Sequence, residues 1–287
     1  RDWSIVGAKR DLEDSRLNDK NIRKIQYRPF DIRYTYYTGK SKGIHCMPRG
    51  DTMKHMLKLS SIGLITARSN KSQIMDHFFV TRYISEAKCG EASTQSAIFP
   101  VFNENGNSLL DKQFLLQVSE VHDIKDIDLI HYLYAIFYSK AYRERYSELL
   151  KIDFPRIPLT TNSKLFHTLV QLGADLVAIH LLEDDYEYAG WNLHNLKSPL
   201  EKLNCKFIEG SNGRIVGSMG KNKAFANGNV YTNTKSVDDC SKFSGISQEV
   251  WEFTIGGYQI CHKWLYDRRT IGEKEGKKTN RSRYFAL

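Results

Sequence analysis

The chain has 287 residues, of which 41% are hydrophobic and 26% charged, so its composition is that of a folded globular protein and excludes a disordered tail. Forty-two Lys and Arg against 33 Asp and Glu leave a net charge of +9, which is compatible with a polyanionic partner. The longest strongly apolar stretch, 176–182, is far shorter than a bilayer span, so no membrane partner is expected.

The N-terminal third is rich in β-branched and aromatic residues, which favour strands. A strand pair is predicted at 22–27 and 30–37, followed by a basic loop at 38–43 that glycines punctuate. Asp51 is expected to cap a short helix over 51–57. Further strands are predicted at 62–67, 77–81 and 97–102, before a turn at 103–107.

The middle of the chain has helical periodicity instead. Apolar residues at helical spacing predict a helix over 126–138, a second helical stretch over 142–150 and a long helix over 163–182. In the long helix the predicted apolar face consists of Leu165, Leu169, Leu172, Leu176, Ile179 and Leu182.

The C-terminal third is rich in Gly and Asn from 204 to 234, with short strands expected at 214–218 and 229–233 and a last helix over 258–269. The whole pattern predicts an α+β fold with mixed β-strands in N- and C-terminal lobes around a helical middle. The expected parts are a basic β-rich lobe at 1–120, the helical middle at 121–185, and a β-rich loop region with a C-terminal helix at 186–287.

The positive charge is concentrated at the two ends of the chain. Residues 1–100 hold 18 basic and 10 acidic side chains, 101–200 hold 9 and 14, and 201–287 hold 15 and 9. Such basic ends around an acidic middle are typical of a protein that contacts a phosphate backbone. The predicted DNA-contacting residues are Arg28, Arg33, Lys40, Lys42, Arg49, Arg68 and Lys71, together with Arg214, Lys221 and Lys223 in the Gly-rich segment.

Two of these cations have an alternative interpretation, because Arg28 or Arg33 could pair with Asp31 and simply lock a turn. Base contacts are expected from the loops Gly39–Arg49 and Gly210–Asn229, since Gly-, Asn- and Lys-rich loops can present side chains to base edges.

The five cysteines are odd in number and form no Cys-x-x-Cys pair, so a zinc site is not expected. Reduced thiols fit a cytoplasmic protein best. The N-terminus opens Arg1-Asp2-Trp3-Ser4 without a signal peptide, and the missing initiator Met suggests a fragment of a longer protein.

Motifs for catalysis are mostly missing from the sequence. It has no Pro-Pro-aromatic motif of amino-methyltransferases and no Gly-x-Gly-x-x-Gly after a strand, and the Gly-rich segment at 210–222 does not match a phosphate loop. One enzymatic pattern remains: Asp76 followed by Glu86-Ala87-Lys88 has the Asp…Glu-x-Lys arrangement of Mg²⁺-dependent nucleases. Its spacing is so permissive that chance matches are common.

Several collinear segments resemble one known family. Tyr27–Tyr37 (YRPFDIRYTYY) resembles the C-terminal specificity region of Type ISP restriction–modification enzymes, the single-polypeptide relatives of Type I systems. Further matches in the same order are AYRERY at 141–146, IDFPRIPLT at 152–160, HLL at 180–182, VW at 250–251, IGGYQI at 255–260 and KWL at 263–265. The resemblance covers nearly the whole chain.

This resemblance implies that the chain is the DNA target recognition domain of an enzyme that joins a nuclease, an ATP-driven translocase and an N6-adenine methyltransferase. Its partners would be double-stranded DNA and the linked methyltransferase and helicase-like domains. S-adenosylmethionine, ATP and Mg²⁺ would serve the parent enzyme, with no cofactor, metal or catalytic residue in this chain. The alternatives are a nuclease built on Asp76, Glu86 and Lys88, and an RNA-binding domain that stacks bases on Tyr34, Tyr36 and Tyr37.

Overall fold

The computed structural model of the chain describes residues 3–58, 60–183, 187–188, 191–192, 206–208, 225–231 and 241–268. The chain divides into two compact units. The first comprises Arg1–Glu183 and Ile255–Gly257, and the second comprises Asp184–Thr254 and Tyr258–Leu287. Both contain helices and strands, and in the first unit a run of strands is followed by a run of helices, so the predicted α+β class is confirmed.

The first unit opens with a helix that the sequence pattern did not predict. Helix α1 (Ile5–Asp14) begins where the Ser4 side chain accepts a hydrogen bond from the backbone of Gly7. The predicted strand pair is confirmed: β1 (Ile22–Arg28) and β2 (Asp31–Tyr36) run antiparallel, with Lys24 opposite Tyr34.

A short helix and four further strands follow. Helix α2 (Gly50–Met53) continues into a 3₁₀ turn at Lys54–Met56, and its N-cap is Arg49, so the predicted cap at Asp51 is wrong. Asp51 lies in the first turn, where a carboxylate still interacts favourably with the helix dipole. The other strands of this half are β3 (Gly63–Ala67), β4 (Phe78–Thr81), β5 (Ile84–Ser85) and β6 (Ser96–Pro100).

These strands form two three-stranded sheets. β5 extends the first sheet by pairing with β1 in parallel, in the order β2-β1-β5. β3 is the central strand of the second sheet, with β4 and β6 antiparallel on either side. Every residue of β3 and β4 is buried, which is why their sequence is a continuous apolar run that the pattern could identify.

Five helices follow the second sheet along the chain: α3 (Lys112–Ser119), α4 (Asp126–Tyr138), α5 (Lys140–Arg145), α6 (Ser147–Leu150) and α7 (Ser163–Leu181). α4 matches its predicted bounds, and α7 ends one residue before its predicted end. The predicted stretch at 142–150 is two short helices, and α3 was not predicted. The main core joins Phe78 of β4 to Phe137 of α4, whose rings stack at 4.2 Å, and to Val177 of α7.

The predicted apolar face of α7 is wrong in its register. Leu165, Leu172 and Ile179 are exposed, and only Leu169 and Leu176 of the predicted set pack partly into the core, while Leu182 is an exposed residue after the helix. The buried face carries Phe166, Gly173, Val177, Ala178 and His180. Gly173 lets α7 approach α4 closely, since a Cβ there would lie 1.8 Å from the carbonyl oxygen of His131.

The second unit has small sheets of its own. Strand β7 (Glu187–Tyr188) pairs with β8 (Trp191–Asn192). A four-stranded antiparallel sheet consists of β9 (Lys206–Ile208), β10 (Phe225–Ala226), β11 (Asn229–Tyr231) and β12 (Lys242–Ser244), in the order β10-β11-β12-β9. Strands β13 (Thr254–Ile255) and β14 (Tyr258–Gln259) follow a short α8 (Gln248–Glu252) and precede α9 (Ile260–Asp267), and Ile255 of β13 belongs to the first unit.

Val230, Trp251 and Leu265 form the core of this second unit. The predicted strand at 229–233 is present as β11 over its described residues, whereas the one at 214–218 lies outside the described residues. The predicted helix over 258–269 begins two residues later, because Tyr258–Gln259 is a strand. No helix within the described ranges is both long and apolar enough to cross a bilayer.

Candidate nucleic-acid interface

The first two predicted DNA contacts, Arg28 at the end of β1 and Arg33 in β2, flank the turn between these strands. Phe30 adopts a left-handed backbone (φ 59°) there and packs its ring against Phe79 at 5.1 Å. Because a bulky residue rarely adopts a positive φ, this conformation depends on the packing around it. Phe30 therefore anchors the turn in the first unit.

Arg28 and Arg33 are both paired with carboxylates beside this turn. Arg33 bonds Oδ2 of the buried Asp31 through Nη2 at 2.8 Å and Nε at 3.2 Å, and Arg28 forms an ion pair with Glu86. Both guanidinium groups lie over the Tyr27 ring, at 4.0 Å for Arg28 and 3.7 Å for Arg33. Only 12% of the Arg28 side chain and 13% of the Arg33 side chain are exposed, which favours their interpretation as parts of the turn's scaffold.

The loop Gly39–Arg49 presents its cations outward. Lys42 and Arg49 are exposed and have left-handed backbones (φ 59° and 53°). Lys40 is half exposed and contacts Asp14 of α1 at 2.6 Å, which lowers the pKa of that carboxyl group. This ion pair lies at the surface, where such pairs contribute little to stability, so Lys40 can exchange Asp14 for another anion at small cost.

The same loop is anchored to β2 on its inner side. Thr35 Oγ1 and His45 Nε2 are 3.0 Å apart, and the hydroxyl of Tyr37 donates to the carbonyl of Pro48 at 2.8 Å. Burial lowers the pKa of His45 and raises that of Tyr37 to about 12, so both groups are neutral near pH 7. The loop thus has a neutral, bonded inner side and a cationic outer side.

Arg68 and Lys71 lie on the loop after β3, and both are exposed. Arg68 Nε contacts Asp153 Oδ1 at 3.1 Å with 74% of its side chain open to solvent. The loop itself is fixed by the fully buried Asn70, whose Nδ2 donates to the carbonyl of Ile74 at 2.7 Å. The backbone N–H of Asn70 donates to the carbonyl of Leu150 at 3.0 Å, so these two cations have a defined position.

The remaining three predicted contacts, Arg214, Lys221 and Lys223, lie outside the described residues. The described end of that segment is a hairpin in which Asn227 (φ 50°) and Gly228 (φ 72°) connect β10 to β11. Two consecutive left-handed residues form the tight turn that Asn-Gly favours. The Gly-rich segment therefore ends in a regular hairpin at its C-terminal side.

The residues of the nuclease pattern have other roles in the fold. Asp76 is buried, and its backbone carbonyl accepts a hydrogen bond from Gly256 at 3.1 Å. Glu86 pairs with Arg28 and accepts a hydrogen bond from the backbone of Lys88 at 2.8 Å. Within the described ranges, no group of three or more His, Cys, Asp or Glu side chains is arranged to hold a metal ion. The geometry adds no support to the pattern.

One residue that organises this surface gave no signal in the sequence. Asp11 of α1 is almost fully buried and accepts two hydrogen bonds from the segment 38–44. In the sequence it stands in an acidic run with Glu13 and Asp14, which are both exposed, so nothing local distinguishes it.

Comparison with solved structures places this fold within longer proteins that were solved with DNA. The cryo-EM structure of the DrdV–DNA complex matches with a TM-score of 0.62 and 20% identity, covering 90% of this chain and 25% of that one. A nuclease-deletion mutant of the Type ISP restriction–modification enzyme LlaGI, in complex with a DNA substrate mimic, matches with a TM-score of 0.58 and 20% identity. This match covers 88% of the present chain and 18% of the LlaGI chain. The ATP-dependent Type ISP enzyme LlaBIII bound to DNA matches with a TM-score of 0.60 and 18% identity, covering 95% of the present chain and 17% of the LlaBIII chain.

The chain thus has the fold of a domain found within restriction–modification enzymes, and it spans at most a quarter of each of these three chains. No curated protein sequence matches it significantly. The family model of the Type ISP C-terminal specificity domain matches residues 1–285, and the chain belongs to that family. The resemblance noted at Tyr27–Tyr37 and the later motifs is thereby confirmed.

Proposed function

We propose that this chain recognises a short site in duplex DNA as the specificity domain of a Type ISP restriction–modification enzyme. The observation that carries the proposal is the set of exposed cations on fixed loops of a domain whose family is defined by specificity. This set, here called the cationic loop set, consists of Lys40, Lys42, Arg49, Arg68 and Lys71.

The cationic loop set would contact phosphates, because an exposed Lys or Arg can exchange water and a surface carboxylate for a phosphate oxygen at little cost. Arg28 and Arg33 would instead hold the β1–β2 turn, since their guanidinium groups are covered by Tyr27 and paired with Glu86 and Asp31. Phosphate contacts position a protein on the duplex without reading its sequence.

Sequence reading would come from side chains that reach base edges in the grooves. The loop Gly39–Arg49 is one source, because its inner side is bonded to β2 while its outer side is exposed. The segment Gly210–Asn229, with Arg214, Lys221 and Lys223, is the second source that we propose from sequence.

In the parent enzyme this domain would present a target adenine to a linked N6-adenine methyltransferase and direct an ATP-dependent translocase and nuclease. S-adenosylmethionine, ATP and Mg²⁺ would act in those linked domains. The chain itself would have no catalytic activity. Incubation of the chain with plasmid DNA and Mg²⁺ tests this claim: cleavage that Glu86→Ala abolishes would refute it.

A salt titration of duplex binding tests the phosphate contacts. If the five members of the cationic loop set each neutralise one phosphate, log K should fall against log salt with a slope of about −4 to −5. Lys42→Gln should flatten that slope by about one, and Lys164→Gln, an exposed lysine at the start of α7, should leave it unchanged. A slope near zero for the wild-type chain would refute DNA binding through phosphates. Methylome sequencing of cells that carry the parent enzyme would then give the recognised site.

A further inference from the structure

The N-terminal segment Trp3–Asp14, which includes helix α1, contacts the segment Thr38–Ile44 at several points. The indole Nε1 of Trp3 donates to the carbonyl of Ile44 at 3.0 Å. Gly7 approaches the backbone of Lys42 so closely that a Cβ would lie 2.6 Å from its carbonyl oxygen. These contacts lay the helix directly against the part of the loop that carries Lys40 and Lys42.

At the centre of this contact is the carboxylate of Asp11, whose residue is only 2% exposed. A single oxygen, Oδ2, accepts from Thr38 Oγ1 at 2.8 Å and from the backbone N–H of Ile44 at 2.9 Å. One oxygen therefore ties together two chain positions that are six residues apart. Gly43 makes room for this bridge, since a Cβ there would lie 2.1 Å from Oδ2.

The bridged segment holds Lys42 in a left-handed backbone (φ 59°), which a residue with a side chain adopts only when its surroundings impose it. The backbone N–H of Lys42 donates to the carbonyl of Cys46 at 3.2 Å, which links the segment to the residues that follow it. The directions in which Lys40 and Lys42 project are thus set by a group that is itself inaccessible to DNA.

We propose that Asp11 is a positioning residue that fixes the Thr38–Ile44 segment in the conformation used to bind DNA. This proposal rests on the proposed function. A loop that is ordered before binding loses less conformational entropy when it binds, so the bridge raises affinity without touching the ligand. Removing it should weaken binding about ten-fold, while the number of phosphate contacts stays the same.

Three variants of the full 287-residue chain test the bridge. Asp11→Ala removes both acceptor bonds and keeps a good helix former in α1. Glu13→Ala makes the same change of charge at an exposed position of the same helix and serves as the matched control. Asp11→Asn retains one side-chain oxygen that can accept both bonds, and it should restore most of the wild-type behaviour.

The first measurement is amide hydrogen exchange, which does not depend on DNA. In Asp11→Ala the amides of 38–46, and that of Ile44 above all, should exchange at least ten-fold faster than in Glu13→Ala, with the β3 and α4 amides unchanged. Equal exchange in the two variants would overturn the bridge. If Asp11→Ala does not fold, Thr38→Val removes one of the two bonds, and loop exchange no faster than in the wild type would overturn the bridge in the same way.

The second measurement is the affinity for a fluorescein-labelled duplex of mixed sequence over a range of salt. We expect Asp11→Ala to bind about ten-fold more weakly than Glu13→Ala with the same salt slope. Faster loop exchange with unchanged affinity would overturn the positioning role while leaving DNA binding intact. If the wild-type chain itself binds no duplex, the proposed function fails and the positioning role with it, whereas hydrogen exchange still decides whether Asp11 holds the loop.

Discussion

Replacement of Gly173 by Ala measures how closely α7 lies against α4. The added Cβ would lie 1.8 Å from the carbonyl oxygen of His131 and 2.5 Å from its carbon, where real Cβ atoms are essentially never closer than 3.0 Å. The two helices would have to separate locally by about 1 Å, and the obstructing atoms belong to the main chain of α4 and cannot rotate away.

The expected loss follows from two opposing terms. Overpacking of a close-packed core costs about 1–3 kcal/mol, and this site is at the upper end because the obstructing atoms belong to the backbone of α4. Ala gains about 1 kcal/mol over Gly in helix propensity. Gly173→Ala should therefore destabilise the protein by about 2 kcal/mol, despite placing a better helix former in a helix.

Urea unfolding followed by circular dichroism measures this change as a lower midpoint at a constant m-value. Gln171→Ala, at an exposed position two residues earlier, is the control and should stay within about 0.5 kcal/mol of the wild type. A Gly173→Ala protein as stable as Gln171→Ala would refute the close approach of the two helices.

Three further predictions follow from the same structure. Leu176→Ala should lower the free energy of unfolding by about 2–3 kcal/mol, and Leu172→Ala by less than about 1 kcal/mol, because Leu172 is 46% exposed. Equal losses in urea unfolding would contradict the observed buried face of α7. Burial lowers the pKa of His77 and of His180 to about 4, so on acidification the unfolded state takes up protons before the folded state does. The free energy of unfolding should therefore fall as pH decreases from about 6.5 to 4, by up to about 3 kcal/mol for each residue, and a free energy of unfolding that does not change over this range would contradict the prediction. Exchange of the loop Gly39–Arg49 between family members should change the methylated site seen by methylome sequencing, while exchange of α7 should not.

The elements that the sequence predicted best are those whose periodicity is local. α4 matches its predicted bounds because its apolar residues recur at helical spacing and polar residues border it, Lys125-Asp126 at the start and Ser139-Lys140 after the end. β3 and β4 are continuous apolar runs with β-branched or aromatic residues, as strands buried on both faces are. α1 was missed since its buried contacts are made by Ala8 and Asp11, which form no apolar stripe.

The buried face of α7 could not be predicted from periodicity, because the helix carries two apolar stripes. One runs through Leu165, Leu172 and Ile179 and faces outward, and the other runs through Phe166 and Val177. Hydrophobicity alone favours the leucines. The choice is made by close packing: Gly173 permits the approach to α4, and the hydroxyl of Tyr134 lies 2.6 Å from Nδ1 of the imidazole of His180. Neither a Gly nor a His contributes to an apolar pattern.

In the candidate interface, sequence alone also could not predict which basic side chains are covered and which are exposed. Composition located the basic region, but the separation of covered from exposed cations depends on contacts that are distant in sequence. Arg28 meets Glu86 across 58 positions, and Arg68 meets Asp153 across 85. In one pair the arginine is covered by an aromatic ring and in the other it is open to solvent. Sequence spacing carries no information on that difference.

The difference between covered and exposed cations affects how the target specificity of such a domain can change. The fixed parts of the surface are Arg28 and Arg33 over Tyr27, and Asp11 of α1 against the loop. These residues obtain their partners from the scaffold. The exposed side chains between them have few intramolecular bonds to lose. If the loop contacts bases as proposed, substitutions there change those contacts at a cost within about 0.5 kcal/mol of stability, whereas substitutions at the anchors change the positions of the loop side chains together. Selection for a new target site would act on the first group and retain the second.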